Sequence, residues 1–110
     1  MQKFDQDIIK RAVLHYGIET ESIVCMEECS ELQKEISKYL RGQGNKTALL
    51  LEMADVLICI EMLKKMYNVP DEVLDDAIAL KQRRIFRIIE ESKAAERDVR
   101  QTVIYAGRER

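Results

Sequence analysis

The chain has no tryptophan, one proline, four glycines and only 5% aromatic residues, so it lacks the turn-rich, aromatic-rich texture of a β-sandwich or barrel. Three cysteines are an odd number, and no second Cys or His pair accompanies Cys25 and Cys29 to complete a zinc site. They are expected to be reduced, buried thiols serving as small hydrophobes. One histidine, His15, rules out a di-iron bundle, which needs a Glu-x-x-His from each of two helices. Neither sign of charge dominates: the net charge of −2 offers no electrostatic footprint for nucleic acid or for an anionic membrane. The run from Ala48 to Leu63 is too short and too charged to cross a membrane, and the chain does not open on a signal segment. A cytoplasmic location is the expectation.

What remains is a helix-forming composition, 46% apolar and 35% charged over 110 residues, enough for one domain with its own core. The pattern predicts four helices. The first runs from about Lys3 to His15, with Phe4, Ile8 and Ala12 on one face and Gly17 as its stop. The second runs from about Thr20 to Leu40, with Leu32, Ile36 and Leu40 as its apolar stripe. The loop Gly42–Lys46 follows; it lacks the Lys-Ser/Thr of a phosphate-cradling P-loop. Thr47 is the expected cap of a third helix, reaching about Asn68 and apolar nearly all round. Pro70 suits the first turn of a fourth, whose stripe is Leu74, Ile78, Ile85 and Ile89 and whose pattern fades past about Ala95. Residues 1–95 are thus expected to form the helical domain, and 96–110, with the β-prone run Thr102–Tyr105, a tail or an arm exchanged with a neighbour. Short connections imply antiparallel neighbours in a four-helix, bundle-like all-α domain. The apolar third helix implies a homo-oligomer, dimer or tetramer, with the third or fourth helix at the interface.

Two acidic clusters stand out against this frame: Glu27-Glu28-Cys29-Ser30-Glu31 and Glu52-Met53-Ala54-Asp55. Glu28 and Glu31, like Glu52 and Asp55, sit at the i,i+3 spacing that shares one helical face. With Glu28 as zero at about 100° per residue, Glu31 falls at about −60° and Glu35 at about −20°, while Cys29, Leu32 and Ile36 lie between about 40° and 100°. The acids therefore border the core-facing stripe. In the apolar run Ala48–Leu63, only Glu52, Asp55 and Glu61 are charged. A carboxylate there must find a partner, take up a proton or bind a metal. If the second and third helices pack antiparallel, the two pairs face each other across one groove. Converging carboxylates repel unless a cation neutralises them, and all-oxygen ligation favours Mg²⁺, with Mn²⁺ as a substitute. Mg²⁺ commonly bridges to substrate phosphates, which points to phosphoryl chemistry. The competing structural reading is local pairing of Glu27, Glu31 and Glu35 with Lys34 and Lys38 on a solvated face.

Glu-Glu-x-x-Glu followed after about twenty residues by Glu-x-x-Asp, on two consecutive helices, resembles the all-α nucleoside triphosphate pyrophosphohydrolases of the MazG type. Their relatives include the dimeric dUTPases and the dCTP pyrophosphatases. The resemblance covers roughly residues 10 to 90. It implies Glu28, Glu31, Glu52 and Asp55 as metal ligands, with Glu27 an outer ligand or a group orienting water. It implies hydrolysis of a (deoxy)nucleoside triphosphate between its α- and β-phosphates, with Glu27 or Glu31 accepting the proton from water. On the fourth helix, Lys81 falls within the apolar stripe and Arg84 beside it, so each wants an anion, a carboxylate or a substrate phosphate. His15 is expected to be a packed or helix-end residue, and Phe4, Ile8 or His15 to contribute to base recognition. The alternative to an enzyme is a non-catalytic helical oligomerisation or adaptor module in which the acids form structural ion pairs.

Overall fold

The computed structural model describes residues 4–108. It is all-α, with helices α1 (Gln6–Tyr16), α2 (Ile18–Leu40), α3 (Lys46–Met66) and α4 (Asp71–Arg108), and no strand among the described residues. The chain divides into two compact units, α1–α3 and α4.

Asp5 starts α1: its carboxylate accepts from the backbone N–H groups of Asp7 (3.0 Å) and Ile8 (3.3 Å), satisfying donors that have no partner inside the helix. The expected start at Lys3 lies outside the described residues. Gly17 alone joins α1 to α2, at φ 86°, where a Cβ would strain the backbone; its N–H closes α1 onto the Val13 carbonyl. The buried row of α1 differs from the one the periodicity suggests. Ile9 is buried and Val13 packs on the core, whereas Ile8 is 62% exposed. Residues 8, 9, 12 and 13 form two adjacent apolar rows, and periodicity cannot choose between them. Tertiary contact does, aided by the Gln6 amide donating to the Glu61 carboxylate of α3 at 3.0 Å.

α2 and α3 form an antiparallel hairpin: Ser22 pairs with Tyr67 through their hydroxyls (2.7 Å), and Cys25 donates to the Cys59 carbonyl (3.6 Å). Asn45, not Thr47, caps α3, its side chain accepting from Ala48 N–H at 2.7 Å. Asn is the stronger cap, and one placed ahead of Thr47 draws Lys46 and Thr47 into the first turn. Gly44 presses on the Tyr39 backbone, where an added Cβ would come within 2.9 Å of the amide nitrogen. Asn68 adopts the left-handed conformation (φ 54°) that ends α3, and Val69 N–H donates back to the Lys64 carbonyl. The core of this unit is small: Cys25, Cys59 and Met66, with Val13, Met62 and Leu63 packed against them.

The inward row of α2 also differs from the expected stripe. Glu21 and Cys25 are buried and Glu28, Leu32 and Glu35 half-buried, while Ile36 and Leu40 are exposed. Acids do not border this row; they are part of it.

α4 opens at Asp71, directly after Pro70, with Asp71 and Glu72 in its first turn, where negative charge suits the helix dipole. It continues without a break for 38 residues, about 57 Å at about 1.5 Å per residue, so the stretch past Ala95 and the β-prone run from Thr102 are helical. Among the described residues, no helix is long and apolar enough to cross a membrane.

Candidate metal centre

The hairpin brings three carboxylates together. One oxygen from each of Glu28, Glu52 and Asp55 lies within 4.8 Å of the others. Glu28 comes from the inward row of α2. Glu52 and Asp55 come from the turn of α3 that faces it across the Cys25–Cys59 contact. Glu28 and Glu52 are half-buried and Asp55 is exposed, so the group opens to solvent on the Asp55 side.

The three acids of the apolar run fare differently. Glu61 is satisfied: its two oxygens accept from Gln6 (3.0 Å) and from Lys64 (2.7 Å). Glu52 is not, since its Oε2 is removed from solvent and has no hydrogen-bond partner. Such an atom is costly when the carboxylate is ionised. Accordingly Glu52 is pushed above the usual carboxylate range, by burial first and then by the charges of Asp55, Glu31 and Glu35. Glu28 is pushed up as well, by burial, by Asp55 as neighbouring charge and hydrogen-bond partner, and by Glu52 and Glu31. Both shifts have the same two causes, burial of the carboxylates first and the negative charge of their neighbours second.

The donor set suits a hard divalent cation. All three candidate ligands are oxygens, and oxygens around an octahedral Mg²⁺ lie about 3–4 Å apart, so small side-chain rotations would close the observed spread. A thiolate-seeking metal is not favoured, because burial pushes the Cys59 thiol up to about 12 and raises Cys25 in the same way. These two thiols are buried, as expected; Cys29, against expectation, is exposed.

The remaining expected site residues are distributed unevenly. Glu31 is exposed and outside the tight group, near enough to raise Glu28 and Glu52 by its charge. Glu27 is exposed and not among the clustered acids. Glu35, which spacing alone did not single out, is half-buried, bears on Glu52, and carries the ion pair to Lys38 at 3.4 Å. Its signal was its wheel position within about 20° of Glu28. Lys34 is exposed. Lys81 and Arg84 are exposed on α4, in the other compact unit. His15 sits exposed in the last turn of α1, edge-on to Tyr16 at 4.6 Å, so it is a helix-end residue. Phe4 is half-buried and Ile8 exposed.

Compared with known proteins, the chain matches no family model, no curated protein and no solved structure.

Proposed function

We propose that the α2–α3 groove binds a divalent cation, Mg²⁺ first and Mn²⁺ as a substitute, and through it the phosphates of a nucleoside triphosphate. The reaction is hydrolysis between the α- and β-phosphates, releasing a monophosphate and pyrophosphate. The observation that carries the metal part is the Glu52 Oε2 atom, buried and unpartnered beside the carboxylates of Glu28 and Asp55. The nucleotide part rests on the order and spacing of the two acidic motifs and on their MazG-type resemblance.

Glu28, Glu52 and Asp55 would hold the cation, with Glu31 a further acid whose charge bears on both glutamates. When bound, such a cation offsets charge developing on phosphate oxygens and acidifies a bound water. Glu52 and Glu28, protonated more readily than ordinary carboxylates, give up that proton on binding metal, which couples affinity to pH. Glu31 and Glu27, both solvent-exposed, are the acids free to accept a proton from attacking water.

Homo-oligomerisation belongs to the same proposal. Leu50, Leu51, Met53 and Leu57 of α3 are exposed on a helix that is apolar nearly all round, a surface that favours a partner. That surface equally suits a non-catalytic assembly module, and one experiment separates the two. A panel of canonical and modified nucleoside triphosphates with Mg²⁺ is scored for pyrophosphate. The proposal expects release from at least one substrate, and loss of that release in Glu52→Gln. No release across the panel would leave the assembly module as the better account.

A further inference from the structure

The second compact unit is a single helix, and its apolar side is uncovered. From Leu74 onward, positions alternately four and three residues apart form one seam: Leu74, Ile78, Lys81, Ile85, Ile88, Ser92, Ala95 and Val99. That spacing is the signature of a helix that packs along its length against another helix. Ile78, Ile85, Ile88 and Val99 are all exposed, Val99 at 62%. An isolated helix leaving such a seam in water forfeits the burial that stabilises helices in proteins.

We propose that α4 pairs antiparallel with α4 of a second copy of the chain, about a centre between Phe86 and Arg87. The residues of the seam select both occupant and direction. In this register Ile85 meets the partner's Ile88, and by symmetry Ile88 meets the partner's Ile85, giving a branched aliphatic centre. Moving outward, Lys81 faces the partner's Ser92, so the two polar seam positions share layers. Ile78 then faces the partner's Ala95, large against small, and Leu74 faces the partner's Val99. Along one flank, Arg84 comes opposite the partner's Glu91, twice over by symmetry. Each is exposed, and Glu91 is held only by a long intrahelical pair with Arg87 at 3.7 Å, so an Arg84–Glu91–Arg87 charge network forms without displacing a strong bond.

The parallel arrangement is worse at the centre of the seam. It sets Lys81 against the partner's Lys81 and Ala95 against the partner's Ala95, and brings Glu91 to the partner's Glu96 across the flank. Like charges then face each other in the seam and beside it. The antiparallel register removes both repulsions and sets Arg84 against Glu91 near the centre, leaving one like-charge pair, Asp75 with the partner's Glu96, towards the ends of the other flank. The central match is a self-complementarity that a heterologous partner would not require.

This inference concerns α4 alone and does not rest on the nucleotide reading. It is tested by sedimentation velocity on the full-length chain at micromolar concentration, comparing wild type, Arg84→Glu, Glu91→Arg and an equimolar mixture of the two variants. Each single change turns two attractive pairs into two repulsive ones. The dissociation constant of the α4-mediated step is expected to rise about tenfold or more, with a fall in mass. Mixing restores the wild-type mass, because each reversed charge meets its opposite on the other variant. The inference is overturned if wild type is a monomer, if either variant keeps the wild-type mass, or if the mixture does not recover. Pyrophosphate release lost in Arg84→Glu at unchanged mass would likewise overturn it, by returning Arg84 to the substrate. Magnesium-dependent stabilisation should persist in both variants, so failure of the pairing and failure of the metal site are told apart.

Discussion

Glu52 and Glu61 are two turns or so apart on the same helix, in the same apolar run, and their contrast is the most instructive feature of the protein. Gln6 and Lys64 satisfy Glu61, whereas nothing in the fold satisfies the inner oxygen of Glu52. A structural ion pair explains the first and cannot explain the second. The raised pKa values of Glu28 and Glu52 have a consequence for stability with the sign fixed by linkage. The folded chain binds protons more tightly than the unfolded one, so their contribution is present below the unfolded carboxylate range and is lost as pH rises through the raised folded values. Metal-free protein should therefore melt higher at pH 5 than at pH 7. Glu52→Gln, which keeps the shape and removes the charge, should melt higher than wild type at pH 7 and show a flatter profile. Thermal melts in chelator across this range check it; a wild-type melting temperature that climbs from pH 5 to 7 would show that the cluster is not under charge stress.

The residues that spacing revealed and those it missed differ for a physical reason. A wheel assigns a face, not a depth. Glu28, Glu52 and Asp55 were legible because two of them interrupt an apolar run and the third sits opposite in an antiparallel hairpin. Glu31 shares a motif with Glu28 but lies exposed, and Glu35, outside the motif, is half-buried; only the rotation of α2 against α3 decides that. The expected burial of Cys29 failed for the same reason, since Cys25 and Cys29 are separated by one turn but only Cys25 meets α3.

At the scale of elements, helix number and order follow from the pattern, and boundaries follow from caps. Asn45 outcompetes Thr47 because its amide reaches the Ala48 N–H. Asn45→Ala should lower stability by about 1 kcal/mol, measured by urea denaturation, whereas Thr47→Ala should lie within about 0.5 kcal/mol of wild type. The expected fading of α4 past Ala95 did not occur. Ala94, Ala95, Glu96 and Arg97 are strong helix formers, and the β-branched residues from Thr102 weaken a helix by only about 0.5 kcal/mol each relative to Ala. The rotation of α1 was not legible because its two apolar rows are equivalent until α3 offers Glu61 to Gln6.

At the scale of the whole molecule, a small core and long uncovered apolar surfaces are two sides of one design. Among the described residues four hydrophobic side chains are buried, while the seam of α4 and much of α3 stay exposed, and the proposed assembly rests on those surfaces. The proposed chemistry falls in one place, the cluster of Glu28, Glu52 and Asp55. The most direct test is a titration of chelator-stripped protein with Mg²⁺ at pH 7.5, followed by melting temperature. Binding to the folded chain should stabilise wild type saturably, by about 2.7 kcal/mol at a hundredfold excess over the dissociation constant, and Glu52→Gln should lose most of that gain. A wild-type melting temperature that does not move with Mg²⁺, or a Glu52→Gln variant that gains as much as wild type, would contradict it.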